Sequence, residues 1–270
     1  MPAHPPAIPT ADALTDPDHW DGYWEKARAL PIEVKPGEHS ATTAILDVID
    51  RHVAAPAPLT VVEVGGAPGG YLAHLWGTFG HDVCALDNSE VGVELTRRNF
   101  HLLGIPGRVL HRDLFATDEP APQFDVVYSL GLIEHFADTA SVVAAHLAYV
   151  KPGGRLIVGC PNLLGVNGVL LRRLSPSALE WHHLDVMDIR GWPRFEAALG
   201  LQPIFRGYVA GFQPAAFWRR ERRTLFDRAL ARGLAELARR SNGAMGRRLA
   251  SLNSRHWSYY AIGVYDTPRP

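Results

Sequence analysis

The sequence predicts an α/β fold, a doubly wound and mostly parallel sheet with helices on both faces. Short apolar runs of strand length, such as 82–87, alternate with segments of helical periodicity, such as 90–103. The runs are apolar on both faces, which is typical of parallel strands buried between two layers of helices. A glycine-rich loop at 65–70 adds a third observation, because such sheets bind ligands beyond the carboxyl ends of their strands.

Each element has its own signal in the chain. Apolar residues at helical spacing predict helices over 38–53, about 70–79, 90–103 and 138–150. Short apolar or β-branched runs between turn residues predict strands over 59–64, 82–87, 108–113, 124–130 and 155–160. Pro-Ala-Pro at 56–58 ends the first of these helices, and Lys-Pro-Gly-Gly at 151–154 ends the last.

The last third of the chain departs from this alternation. Residues 196–208 are predicted as the end of a helix and a strand, and 256–265 as the closing strand. Between them we expect a basic helical insert at about 216–250, with eleven arginines and three acidic residues from Arg219 to Arg255. The apolar stripe of this amphipathic insert comprises Leu225, Phe226, Ala229, Leu230, Gly233, Leu234 and Leu237.

The insert admits several interpretations. It packs over the active-site end as a lid or mediates homodimerisation, it binds an acidic or phosphorylated small substrate, or it contacts nucleic acid or a membrane surface. Nucleic acid is disfavoured, because the arginines lack an interleaved series of aromatic side chains for stacking on bases.

Composition sets the broad class. The 270 residues carry a formal net charge of −1, which gives no global bias toward nucleic acid or membranes. No apolar run reaches the length of a membrane span, and the N-terminus lacks a signal-peptide pattern. The two cysteines, Cys84 and Cys160, lie in apolar runs and offer neither a disulfide framework nor a metal-ligand spacing. We therefore expect a cytoplasmic enzyme.

Two regions are expected along the chain. Residues 1–37 form a proline-rich N-terminal tail and an aromatic cap segment, and 38–270 form the main domain with its insert. Tyr23 and Trp24 of the cap segment either pack on the core or cover a bound substrate.

The loop within V-V-E-V-G-G-A-P-G-G-Y (61–71) indicates close approach of a ligand to the backbone. It matches neither the dinucleotide fingerprint nor a P-loop, so phosphate is not the expected guest. Glu63 beside it either suits a cationic group or is itself satisfied by the loop amides. Asp87, at the end of the second strand, suits the two hydroxyls of a ribose. With Asp113 at the end of the third strand, the pattern predicts a site for a nucleoside without phosphates.

These residues resemble a known family. The matching motifs are V-V-E-V-G-G-A-P-G-G-Y (61–71), A-L-D-N-S (85–89), H-R-D-L-F (111–115), F-D-V-V-Y-S-L-G-L-I-E-H-F (124–136) and L-A-Y-V-K-P-G-G-R-L-I-V (147–158). Their order and spacing are similar to those of class I S-adenosylmethionine-dependent methyltransferases of the small-molecule type. The resemblance implies a Rossmann-like seven-stranded sheet with an antiparallel last strand. It also implies S-adenosyl-L-methionine as cofactor and S-adenosyl-L-homocysteine as product.

The resemblance also implies the cofactor-binding residues. They are Glu63, Gly65, Gly66, Ala67, Gly69, Asp87, Asn88, Asp113, Leu114, Ser129 and Leu130. Asp87 would hold the ribose, Asp113 the adenine amino group, and the carbonyl of Ser129 or Leu130 the methionyl end. Ala67 stands where the family often has glycine, and it fits if its φ is negative.

Candidate catalytic and substrate residues follow the fourth and fifth strands. His135 suits a general base because imidazole titrates near neutrality, and Glu134 is a second candidate for base or substrate ligand. Asn162, His182 and His183, with Tyr23 and Trp24, are expected to line the substrate pocket. The histidine spacing does not suggest a metal. We expect methyl transfer to oxygen or nitrogen of a small molecule; the alternatives are an RNA methyltransferase and a non-catalytic cofactor-binding protein.

Overall fold

The computed structural model describes residues 13–15, 17–25, 29–116, 120–213, 224–240 and 251–268. Within them the strands are β1 (Thr60–Val64), β2 (Asp82–Asp87), β3 (Arg108–His111), β4 (Phe124–Leu130), β5 (Val150–Pro161), β6 (Gln202–Val209) and β7 (Tyr260–Asp266). The helices are α1 (Pro17–Trp24), α2 (Ser40–Val53), α3 (Gly70–Phe79), α4 (Glu90–Leu103), α5 (Thr139–Leu147), α6 (Gly165–Leu174), α7 (Pro193–Leu199) and α8 (Leu225–Arg240). Most of the predicted tail, 1–12, and parts of the predicted insert, 216–223 and 241–250, lie outside the described residues.

The strands form one seven-stranded sheet in the order β3-β2-β1-β4-β5-β7-β6. All pairings among β1 to β5 are parallel, and β7 runs antiparallel to both of its neighbours. The predicted doubly wound sheet with an antiparallel last strand is confirmed. The chain order reverses between β1 and β4, which creates the crevice where such sheets bind ligands.

The sheet is covered on both faces because its strands are apolar on both. Val61 packs in a core formed with α2 and α3, whereas its neighbour Val62 packs in a second core formed with α5 and α6. This alternation follows from the pleat of the strand, which sends successive side chains to opposite faces. The continuous apolar runs of the sequence therefore report a sheet buried on two sides.

Three predicted boundaries were wrong. Helix α5 ends at Leu147, and β5 begins at Val150, so the Lys-Pro-Gly-Gly segment lies within a strand. Gly153 adopts a φ of 74°, and the pairing of β4 with β5 shifts register here, which lets the strand continue through an irregular turn. Strand β3 ends at His111, which leaves Asp113 in the following turn rather than at the strand end.

Helix α8 lies between β6 and β7, where the insert was predicted, but its buried face differs from the predicted stripe. Leu225 and Phe226 are exposed, whereas Asp227 is only 2% exposed. Arg173 of α6 donates to Asp227 Oδ1 at 2.6 Å, and this ion pair turns the acidic residue inward. Leu230 and Leu234 of the predicted stripe do pack on the core. No helix among the described residues is long and apolar enough to cross a membrane.

Candidate active site

The glycine loop between β1 and α3 lies at the crevice. Gly65 and Gly69 adopt φ values of 67° and 81°, which disfavour residues with a side chain. At Gly66 a Cβ would lie 2.1 Å from Cδ of Glu63, so the absence of a side chain makes room for that carboxyl group. Ala67, which stands where the family often has glycine, does not have a positive φ, so an alanine fits at this position.

Glu63 is a buried carboxyl group at the mouth of this loop. It is 2% exposed, and its Oε2 has no hydrogen-bond partner among the described residues. Burial raises its pKa to about 8, because the charged form is disfavoured away from water. A cationic guest in the loop would supply the missing partner.

Asp87 ends β2 next to the same crevice. It is 6% exposed and accepts a hydrogen bond from the backbone N–H of Ser89 at 2.9 Å. Burial raises its pKa, while this backbone donor acts in the opposite direction. Ser89 in turn caps α4 through Gly92 N, so the loop that presents Asp87 is held by a helix cap.

A cavity of about 470 Å³ opens beyond the ends of β1, β2 and β3. Asp87, Asn88, Asp113 and Leu114 line it. The carboxyl group of Asp113 accepts from the backbone N–H of Phe115 at 2.9 Å, which closes the turn after β3. With Gly65, which also lines it, five residues expected to bind cofactor converge on one cavity.

A second cavity of about 560 Å³ adjoins the first and contains the glycine loop. Trp20, Gly65, Asp87, Asn88, Leu132 and His135 line both cavities. The second cavity has an aromatic lining made of His19, Trp20, Tyr23, Trp24, Tyr71, Trp181, His182 and Tyr259. No lysine or arginine is among the described residues that line it.

Helix α1 covers this aromatic chamber, and we call it the roof helix. The ring of Trp20 meets the ring of His135 edge-on, with centroids 4.8 Å apart, and His19 meets Trp181 similarly at 4.6 Å. Asp21 Oδ1 accepts from Ser89 Oγ at 2.5 Å, which fastens the roof helix to the loop after β2.

His135 stands where the two cavities meet, in a single 3₁₀ turn after β4. Its Nδ1 lies 2.8 Å from the carbonyl oxygen of Trp181. A carbonyl only accepts, so Nδ1 carries the proton and Nε2 keeps a free lone pair. Burial lowers the pKa of His135 to about 4, with His182 and His19 acting in the same direction. The ring is therefore neutral near pH 7.

Glu134, next to His135, is also buried, at 1% exposed. Burial raises its pKa to about 8, and within the part of the chain that the structure describes its Oε2 has no hydrogen-bond partner. Its Oε1 lies 3.9 Å from His135 Nε2, and its backbone oxygen accepts from His183 N at 2.6 Å. The backbone bond brings the segment around His182 against the 3₁₀ turn.

The structure places most of the predicted site residues at the two cavities, with five exceptions that line neither: Gly69, Ser129, Glu134, Asn162 and His183. Ser129 is buried within β4 and lines neither cavity, whereas Leu130 lines the second. His183 is likewise absent from the lining, and its Nε2 faces Asp185 at 3.9 Å. The Nδ2 of Asn162 donates to the carbonyl oxygens of Arg255 and Ser258.

Several lining residues were missed from the sequence. Asn167 on α6 lines the chamber, where its Nδ2 donates to the carbonyl oxygen of Asn162 at 2.8 Å. An asparagine in an otherwise apolar helical stretch was the available signal. Trp20 and Trp181 are close in sequence to predicted site residues. Only the tertiary packing shows that they line the same chamber.

Comparisons with known proteins agree with this geometry. The methyltransferase domain family matches residues 38–208. The ubiquinone biosynthesis O-methyltransferase of Alkalilimnicola ehrlichii is 31% identical over 176 residues, which cover 61% of this chain and 70% of that protein. The corresponding protein of Roseobacter denitrificans is 31% identical over 159 residues, with coverages of 54% and 63%. The chain thus spans less than two thirds of the length of the second relative.

Solved structures share the fold at low identity. The [4+2]-cyclase SpnF has a TM-score of 0.60 at 16% identity, covering 98% of this chain and 99% of that one. The geranyl diphosphate C-methyltransferase of Streptomyces coelicolor, solved with S-adenosyl-L-homocysteine, has a TM-score of 0.56 at 16% identity, with coverages of 93% and 97%. At these identities the likeness shows the fold alone. The family match is what decides: the chain belongs to the methyltransferase domain family and is a class I S-adenosylmethionine-dependent methyltransferase.

Proposed function

We propose that this enzyme transfers the methyl group to a hydroxyl oxygen of a neutral aromatic acceptor. One observation carries the proposal: the chamber beside the glycine loop is walled by aromatic rings, and its described lining holds no cation for a phosphate or carboxylate. Aromatic walls suit a flat ring, because ring pairs gain stacking and edge contacts beyond the area they bury.

The cofactor would bridge the two cavities. Asp87 would accept the ribose hydroxyls, and Asp113 and Leu114 would meet the adenine in the smaller cavity. The buried carboxyl group of Glu63 would pair with the cationic amino group of the methionyl end, which satisfies its unpartnered oxygen. Pairing with that cation would lower the pKa of Glu63 and ionise the carboxyl group.

The acceptor would lie in the aromatic chamber with its hydroxyl toward His135. S-adenosyl-L-methionine, when bound, would supply an activated methyl group: the acceptor oxygen would bond to the methyl carbon as the carbon–sulfur bond breaks, with its electron pair going to sulfur. The hydroxyl proton passes to Nε2 of His135, whose lone pair is kept free by the bond from Nδ1 to Trp181. The cofactor is already activated, so the protein contributes chiefly position and exclusion of water.

The choice of oxygen is supported by two facts. The matched relatives from Alkalilimnicola ehrlichii and Roseobacter denitrificans are named O-methyltransferases. In addition, a phenol must lose a proton to become a good nucleophile, and His135, which carries its own proton on Nδ1, lines the chamber with Nε2 open to receive it.

A panel of acceptors tests the proposal. The purified chain would be incubated with methyl-labelled cofactor and neutral catechols, matched anilines, and phosphorylated phenols of the same ring size. We expect label transfer to catechol oxygen at least tenfold faster than to the anilines, and none to the phosphorylated compounds. Preferred labelling of nitrogen or of a phosphorylated acceptor would contradict the proposal.

A further inference from the structure

One cluster beside the aromatic chamber joins His135 to two side chains that the proposed methyl transfer does not use. Glu134, His135 and His182 each place one ligand-type atom so that all three lie within 4.8 Å of one another. The rings of His135 and His182 lie 4.8 Å apart at the centroids, tilted by 42°. Two imidazoles and one carboxylate are the set that binds divalent transition metals such as zinc.

Two hydrogen bonds hold this cluster together. His183 N donates to the backbone oxygen of Glu134, and His135 Nδ1 donates to the backbone oxygen of Trp181. They flank His182 on both sides and join it to a turn far away in the sequence. A ligand histidine in metal sites almost always donates its other ring N–H to a carbonyl or carboxylate, as His135 does here.

The electrostatic surroundings also suit a cation. Glu134 is buried, and its Oε2 has no partner in the described structure. No lysine or arginine is among the described residues that line the adjoining chamber, so no fixed positive charge there would repel a bound cation. A bound cation would supply the partner that the buried carboxyl group lacks.

We propose that Glu134, His135 and His182 bind one divalent cation of the zinc class, with an open coordination position toward the aromatic chamber. Tetrahedral zinc holds nitrogen and oxygen ligands about 3.3 Å from one another, so the side chains close in slightly on binding. The cation then occupies Nε2 of His135. In the metal-loaded enzyme the cation would replace the imidazole in the proposed reaction: it would stabilise the acceptor oxygen as an oxyanion, and the hydroxyl proton would pass to water.

The test is calorimetric titration of the chelator-treated full chain with Zn²⁺. We expect one strong site per chain, weakened at least tenfold in His182→Ala and in Glu134→Gln. His183→Ala is the matched control, because that neighbour faces Asp185 and lies outside the cluster. Binding of S-adenosyl-L-homocysteine by each variant shows that it is folded.

The absence of a strong site, or equal affinity in the wild type and His182→Ala, would overturn the proposal. Only the acceptor's position at the cation rests on the proposed function, and a second measurement separates the two. Full methyl transfer to a catechol in excess chelator, with no zinc bound, would show that the reaction does not need the cation and would leave the proposed function standing. Zinc binding with no transfer to any phenol would support the cation site and contradict the proposed function.

Discussion

The cofactor half and the acceptor half of this site are built in different ways. In the cofactor half, Glu63, Gly65 and Asp87 stand within one residue of the end of β1 or β2. In the acceptor half, the roof helix, the turn after β4, α6 and the segment around Trp181 each supply one part of the wall. The first half depends on the sheet edge, whereas the second depends on how loops dock. Mutations should therefore affect the two halves separately.

The largest effect is expected in the acceptor half. His135→Ala should lower turnover about 10²–10⁴-fold, because the group that activates the acceptor oxygen is lost. Affinity for S-adenosyl-L-homocysteine should stay within about threefold, since the cofactor residues remain. Initial rates and calorimetry measure the two quantities, with His183→Ala as control. A large loss of cofactor affinity would show that the two halves do not respond separately to mutation.

In the cofactor half, a mutation should weaken cofactor binding. Asp87→Ala should weaken S-adenosyl-L-homocysteine binding by about 1.5–3 kcal/mol, the scale of hydrogen bonds to a charged group. Asp82→Ala is the matched control, because that carboxylate lies at the other end of β2 and is exposed. Calorimetry that gives equal affinities for the two variants would remove the ribose assignment.

Glu63 connects the cofactor half to stability. Its pKa is about 8 in the folded protein and near 4.5 in an unfolded chain, so the folded state holds the extra proton between these values. Stability is therefore lost as pH rises from about 5 to 8, by up to roughly 1.4 kcal/mol per pH unit. Glu63→Gln cannot ionise at this position and should lose less stability than the wild type over this range, with the remaining loss coming from Glu134, whose pKa is also raised to about 8. Denaturant unfolding of the cofactor-free protein at pH 5.5 and 7.5 measures it, and parallel changes in both proteins would contradict the prediction.

The smallest effect is expected where the two halves join. Asp21→Ala removes the group that accepts the hydrogen bond from the Ser89 hydroxyl. The change should lower the free energy that holds the roof helix against the loop after β2 by about 0.5–1.5 kcal/mol. We expect a higher KM for the acceptor, with folding intact. Asp18→Ala, an exposed carboxylate on the same helix, is the control. Equal KM values in the two variants would show that the hydrogen bond does not hold the roof.

The same contrast explains how far the sequence could be interpreted. Asp87 was predictable because strand periodicity locates the end of β2, and parallel strands place their ends at one edge. Asn162 and Asn167 were not distinguishable, because each follows β5 closely and donates its amide to backbone carbonyls, and only packing decides that Asn167 lines the chamber. The inward face of α8 was missed for a related reason, since Arg173 of another helix pairs with Asp227.

The hydrogen bond from Ser89 to Asp21 has a consequence for the order of events. Ser89 N donates to the carboxyl group assigned to the ribose, while its hydroxyl group holds the roof helix. A nucleoside on Asp87 would therefore steady the element that closes over the acceptor. We expect compulsory-order kinetics, in which the methyl donor enters first and the demethylated nucleoside leaves last.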